Sequence, residues 1–337
     1  MNRLIFLSIF FVSLHSAAQT IYVDAIKGRD DAKGTITDPL NSLEKATALA
    51  SGFSGKEPVT IRVHPGMYVL NHQVEIKTAN VQNDTVRYTI EAVILPDDPN
   101  WEPGAMPVIQ SVSPDNNTTQ FTHSVGILAA KSNVSIRGLK FVGNSNPGVR
   151  YYYAVSRENE TLNKLEISQC YFIGERNSSP IQGAIWAHGP GISVDHCVFY
   201  ECKNAFLFFR AIKNCSITNS IVYGAYEAAA WYGGTDADLT FRNNIITHCN
   251  FFWTRPENTF PTYTFSNSII TDVTGYMGFF TPRGLEAAEK NSHIEKDIKR
   301  TGKLVFSEVK TQGLPKDYLH LTAQSDGAAL KAGVFKK

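Results

Sequence analysis

Neither sign of charge prevails in this chain. Its 337 residues carry 32 Lys and Arg against 31 Asp and Glu, a formal net charge of +1. No global field therefore points to nucleic acid or to an anionic lipid surface, and neither is expected as a partner. Long apolar runs are scarce as well. The one that stands out, Leu4 to Leu14, follows Asn2-Arg3 and precedes Ser16-Ala17-Ala18. It is about half of the ~20 residues that a membrane span needs. The three parts together read as a secretory signal peptide over residues 1–18, cleaved near Ala18. The mature chain is then expected to be secreted or periplasmic, without a membrane span. No Cys follows the apolar run, which argues against lipid attachment there. The five cysteines (Cys170, Cys197, Cys202, Cys215, Cys249) are odd in number and contain no C-x-x-C pair, so zinc has no ligand signature.

Helical periodicity is missing from the middle of the chain. What stands there is one short pattern, repeated six times. It runs Val134 to Phe141, Leu165 to Phe172, Ile192 to Phe199, Cys215 to Val222, Leu239 to Ile246 and Tyr263 to Ile270. The third residues are Ile136, Ile167, Val194, Ile217, Phe241 and Phe265, at spacings of 31, 27, 23, 24 and 24. Short alternating strands at that period are too brief for a propeller blade. They fit one coil of a solenoid whose rungs stack strand on strand, a parallel β-helix.

Stacking turns sequence positions into columns. The eighth column, Phe141, Phe172, Phe199, Val222, Ile246 and Ile270, is expected in the core. The fifth, Gly138, Gln169, His196, Asn219, Asn243 and Asn267, suggests an amide ladder at a tight turn, because Asn tolerates the left-handed region and bonds its neighbours. Asp195 shares a column with Ser168, Thr218, Arg242 and Ser266 and is expected to face solvent. Cys170 and Cys197 occupy one position on adjacent rungs. A ~4.8 Å rung spacing would permit a disulfide, but two stacked buried thiols are the expectation.

Upstream, Ile21-Tyr22-Val23-Asp24 reads as a strand. A helix over roughly Ser42 to Ser51 follows, with Asn41 as its cap and Glu44 as the capping-box partner. Then comes Thr60-Ile61-Arg62-Val63-His64-Pro65-Gly66-Met67-Tyr68. Lys77 to Met106 reads as a Pro-rich insertion whose loop is Asp97 to Gly104. The tyrosine-bearing strand, the Asp38-Pro39 turn, the Ser42-Leu43-Glu44-Lys45-Ala46 helix and Ile61-Arg62-Val63-His64-Pro65-Gly66-Met67-Tyr68 resemble the N-terminal signature of secreted right-handed parallel β-helix proteins of the pectin-lyase-like superfamily. Asp317-Tyr318-Leu319-His320-Leu321, Ser325 and Gly333 resemble that family's closing coil, although Asp326-Gly327-Ala328-Ala329 departs from its usual Pro-Ala-Ile-Asp.

The resemblance implies an all-β, single-stranded right-handed parallel β-helix over residues 19–337, with an N-terminal capping helix. Its parts are the cap and first coil (19–76), early coils with the insertion (77–125), regular coils (126–281) and a closing segment (282–337). It also implies a general link to polysaccharides, without selecting an activity. Val194-Asp195-His196-Cys197-Val198-Phe199 resembles the Asp-His strand of pectate lyases. The further carboxylates of a calcium lyase are absent nearby, as is the Asn-Thr-Asp, Asp-Asp and Gly-His-Gly set of polygalacturonases. The acidic pairs of the 97–104 loop stand alone, so calcium has no supporting cluster and no cofactor is expected.

A second strand precedes each repeat, and most of these end in a base or His. Lys131, Arg157, His188, Arg210 and Arg255 are expected to form a cationic stripe, with Trp186, Trp231, Tyr232 and Trp253 beside it. Arginines grip carboxylates with two parallel bonds, and aromatic faces stack on sugars. The partner is thus expected to be a polysaccharide or oligosaccharide rich in uronate, bound by a monomer. β-Elimination needs a base and a cation for the enolate, roles open to His188 or Tyr232 and to Arg210, Arg255 or Lys213. A glycosidase needs two carboxyl groups ~5–10 Å apart, and Asp236, Asp238, Glu227 and Glu257 are the acids expected near this face. The leading expectation is a lyase-like enzyme on an acidic polysaccharide. A hydrolase with paired carboxylates and a non-catalytic glycan-binding or surface β-helix are the alternatives.

Overall fold

A computed structural model describes residues 19–78, 86–234, 238–257, 259, 262–281, 284–288, 293–307 and 319–335. The proposed signal peptide lies outside the described residues. Each regular coil carries three strands. In one coil these are Ile192–Asp195, Val198–Tyr200 and Asn204–Phe208. The first two belong to one long parallel sheet that bends between them, and the third belongs to a second sheet. Coils stack in register: Ile167 lies opposite Ile136 and Val194, and Val194 opposite Ile217. The same column reaches back through Ile90 and Ile61 to Ile21. This is the expected parallel β-helix.

The bend between the first two strands explains the amide column. Gln169, His196, Asn219, Asn243 and Asn267 all have φ between 41° and 54° or up to 59°, and Gly138 has 69°. Asn243 Nδ2 donates to Asn219 Oδ1 at 2.9 Å, and Asn267 Nδ2 donates to Asn243 Oδ1. Asn219 Nδ2 continues the ladder to Asp195 Oδ1 at 2.7 Å. Asp195 also accepts from Thr218 Oγ1, so its carboxylate is committed to the turn. Inside, Phe141, Phe172 and Phe199 stack at 4.8 and 4.9 Å with their rings nearly parallel. Cys170 and Cys197 are buried free thiols.

The capping helix is Leu43–Ser51, and it lays Leu43, Ala46, Thr47 and Ala50 on the first coil. Its cap is Ser42, whose side chain accepts from Lys45 N at 3.2 Å. The expected cap, Asn41, instead donates to Ala25 O, and Glu44 accepts from Asn71 N. The expected insertion is also shorter than 77–106, because Tyr88–Ala92 is a regular rung between Val59–Val63 and Val134–Arg137. Its loop is not wholly solvated. Trp101 is fully buried and meets Phe335 edge-on at 5.0 Å.

That contact reflects the path of the C-terminal segment. Residues 319–335 do not form one more rung. They lie along the outside of the first sheet, where Leu319, Ala332 and Val334 cover Tyr171, Val198 and Ile221. Gly333 N donates to Asn219 O at 2.8 Å, and His196 Nδ1 donates to Gly333 O at 2.9 Å.

Candidate functional site

The second sheet positions the site. Its strands Tyr152–Arg157, Gly183–Ala187, Asn204–Phe208, Ala228–Tyr232 and Phe251–Pro256 share one irregularity. Two successive residues in each pack into the core: Ala154 and Val155, Ala184 and Ile185, Ala205 and Phe206, Ala229 and Ala230, Phe252 and Trp253. Simple alternation breaks there, and the outward positions move by one. Trp186, Leu207 and Trp231 then line up on the outer face. With Tyr151, Tyr153 and Phe209 they form an apolar cluster separate from the core. Gly183 makes the hollow between them. A Cβ there would come within 2.3 Å of Leu207 Cδ1 and 2.9 Å of the Tyr153 ring.

The resulting groove has a volume of about 540 Å³. Trp186, Trp231, Leu207, Phe209, Tyr153 and Phe121 supply its apolar walls, and Gln120, Gln182, Lys203, Asn204, Arg210 and Glu227 its polar ones. Asn204 is buried and fully used. Its Nδ2 donates to Glu227 Oε2 at 2.7 Å and to Gln182 O at 3.1 Å, and its Oδ1 accepts from Trp231 Nε1 at 2.9 Å. One amide thus fixes both a tryptophan ring and a carboxylate. Lys203 Nζ holds the other oxygen of Glu227 at 3.3 Å.

Residues 114–123 arch over one side. Asn117 and His123 pair antiparallel at the base. His123 Nδ1 donates to Phe121 O at 2.7 Å, which turns Nε2 to Glu158 Oε1 at 3.3 Å. At the tip Gln120 adopts φ 68°, which aims its amide inward. Gln120 Oε1 accepts from Arg210 Nη2 at 3.1 Å, and its Nε2 lies 3.0 Å from His188 Nε2. Burial, and then the charge of Arg210, hold His188 down to about 4, so it is neutral at neutral pH.

Three expected site residues meet in this groove: Trp186, Trp231 and Arg210. The cationic stripe does not form. His188 and Arg157 are 1% exposed, Arg255 3% and Lys131 4%. Lys131 Nζ donates to Val86 O and Ser132 O, Arg157 to His188 O and Pro190 O, and Arg255 to Pro256 O and Glu257 O. These cations tie down the carbonyls where the chain leaves the sheet, and burial lowers Arg157 to about 10. The reason is register. Arg157 aligns with Ala187, Phe208 and Tyr232, and Arg255 follows Thr254 into that column. His188 and Arg210 lie one and two residues past the ends of their strands, where the chain has left the sheet and strand alternation no longer sets the face.

Tyr232 and Trp253 are core residues whose rings lie 5.5 Å apart. Asp238 is exposed outside the groove, and its Oδ2 accepts from Asn214 N at 2.9 Å. Asp236 lies outside the described residues. The acid that does line the groove is Glu227. The sequence reading missed Lys203, Asn204, Gln120 and Tyr153. An Asn at the head of the apolar run Ala205-Phe206-Leu207-Phe208 was the one local sign. Gln120 had none, because a long-range fold of its loop brings it in. Among the described residues no three His, Cys, Asp or Glu side chains gather as a metal site, and no helix is long and apolar enough to cross a membrane.

Residues 110–275 match the family described as right handed beta helix region. No curated protein matches the chain. Several solved structures are similar, three of which follow. A GH136 lacto-N-biosidase from Eubacterium ramulus is 12% identical, covering 84% of this chain and 68% of its own, at a TM-score of 0.42. XylC in complex with xylose is 11% identical, with 85% and 70% covered and a TM-score of 0.46. A rhamnogalacturonan lyase is 13% identical, with 94% and 100% covered and a TM-score of 0.38.

Proposed function

We propose, from the premise that this chain folds as a right-handed parallel β-helix, that its groove holds a segment of an acidic, uronate-containing polysaccharide. One observation carries the reading. Two outward tryptophans share a groove with Arg210, an exposed arginine whose side-chain partner is the neutral amide of Gln120. Aromatic faces suit the apolar faces of sugar rings. A guanidinium held by a neutral acceptor exchanges it readily for a carboxylate, with which it makes charge-assisted bonds. Gln120 Oε1 then stands where a uronate oxygen would.

Elimination is the reaction these groups suit better. Arg210 can neutralise the substrate carboxylate as the enolate forms. His188, neutral and one amide behind Arg210, is the base within reach once Gln120 moves. Hydrolysis is less well served, because among the described residues Glu227 is the one carboxylate lining the groove, and it is held by Lys203 and Asn204.

The test is a panel of acidic and neutral polysaccharides, read by binding, by absorbance of unsaturated uronate and by new reducing ends. Binding of acidic chains with unsaturated product is expected. Reducing ends without that absorbance would move the protein to the hydrolases, and tight binding without product to the non-catalytic binders. Arg210→Ala should weaken acidic-glycan binding about ten- to a hundredfold, the loss of one charge-assisted bond, and leave neutral glycans unaffected. Equal handling of acidic glycans by wild type and variant ends the reading.

A further inference from the structure

A second cavity, of about 340 Å³, adjoins the groove and shares Tyr151, Gln182 and Lys203 with it. Its character differs. Arg150, Arg176 and Lys203 line it, and among the described residues no acidic side chain does. The Arg150 guanidinium lies over the Tyr151 ring at 5.1 Å and that of Arg176 over the Tyr226 ring at 4.7 Å. Stacking engages the flat face of a guanidinium and leaves its in-plane N–H donors pointing outward. Neither arginine has a carboxylate partner among the described residues, although ion pairs are common elsewhere on this molecule. Burial raises the Tyr226 hydroxyl above its ordinary range, so it stays a donor. Two guanidiniums, a phenol and an amide thus line one concavity, a donor set that suits an oxyanion.

We propose that this cavity is an anion subsite that takes a second carboxylate or a sulfate ester of the glycan whose first charge sits at Arg210. The inference rests on the groove reading above and sharpens it. The ligand carries negative charge on more than one sugar, and the protein selects a polyanionic chain over one with an isolated charge. Lys203, on the shared wall, is neutralised by Glu227. The uncompensated positive charge is therefore at the two ends, Arg210 and the Arg150/Arg176 pair, with the aromatic floor between.

The experiment uses the full chain and three hexasaccharides: a fully charged oligogalacturonate, the same hexamer methyl-esterified at all but one residue, and a sulfated counterpart. Calorimetry compares wild type with Arg210→Gln and with the double variant Arg150→Gln/Arg176→Gln. Both arginines of the pair are exposed, so folding should survive, and circular dichroism checks it. Inorganic sulfate is titrated separately, read by NMR on arginine Nε–H signals. The double variant should lose at least about tenfold in affinity for the fully charged hexamer and bind the singly charged one as wild type does. Arg210→Gln should weaken both. Tighter binding of the sulfated hexamer would name the anion a sulfate ester, and weaker binding a carboxylate. Either keeps the subsite. If the double variant binds the fully charged hexamer as wild type does while Arg210→Gln fails, the subsite falls and the groove stands. If no hexamer binds but sulfate shifts signals that the double variant lacks, the groove reading falls and the anion site stands. Silence in both assays overturns both.

Discussion

Around His188 three residues decide what an imidazole can do. Gln120 closes one ring nitrogen, Arg210 adds positive charge beyond it, and the Arg157 side chain takes the His188 carbonyl. Burial first, and then the charges of Arg210 and Arg157, hold the ring at about 4, below the ~6.5 of a free histidine. Between those values the unfolded chain binds a proton that the folded chain does not. Stability contributed by this group is thus present above about 6.5 and is lost as pH falls towards 4. The thermal midpoint of the wild type should drop more steeply over that window than that of His188→Gln. Parallel pH dependences in the two proteins would mean that His188 is not the group responsible. The same site shows how residue type misleads. Arg157 and Arg210 read alike in sequence, yet one caps buried carbonyls and the other faces the groove, because Arg157 ends a paired strand in an inward column and Arg210 lies two residues past the end of its strand.

Among the elements, the bend between the first and second strands of each coil repeats one solution. A residue in the left-handed region costs a side chain with a Cβ about 1–2 kcal/mol, and Asn recovers part of this by bonding its neighbours on adjacent rungs. Asn243 does so in both directions, with φ 59°. Asn243→Ala should destabilise the protein by about 2–3 kcal/mol, the sum of strain and lost bonds. Asn243→Gly should cost less, since glycine keeps the φ and loses only the ladder. Denaturant midpoints measure both. Equal losses would mean that the ladder, not the backbone, sets the residue type here. The column was legible in sequence because the turn recurs at a fixed offset from an unbroken period-two strand. The second sheet was less legible. Its doubled inward residues break that period, and face assignment beyond the break goes wrong by one, as it did for Tyr232 and Trp253.

Across the whole molecule, the solenoid leaves an apolar stripe on the outside of its first sheet, formed by Tyr171, Val198, Ile221 and Ile245. The C-terminal segment covers it and is tied to the bends through His196 and Asn219. A chain ended after Ser307 should keep its coils, because their core lies inside them, but expose this stripe. Binding of a hydrophobic dye and self-association in sedimentation are the expected results. A shortened chain that stays monomeric and dark to the dye would show that the segment is dispensable cover.

By itself the amino-acid sequence determined the coil length, the inward columns, the left-handed turn position and the presence of a capping helix. Each of these is a local pattern repeated along the chain, and stacking multiplies its signal. Tertiary structure alone decided which cations face solvent, where residues 114–123 lay Gln120 and Phe121, and how residues 319–335 run back over the coils. Those outcomes depend on register beyond an irregular pair of residues and on contacts between segments far apart in the chain, such as His196 with Gly333. No local period encodes them, so the scaffold could be read in advance while the groove could be read only in part, through Trp186, Trp231 and Arg210.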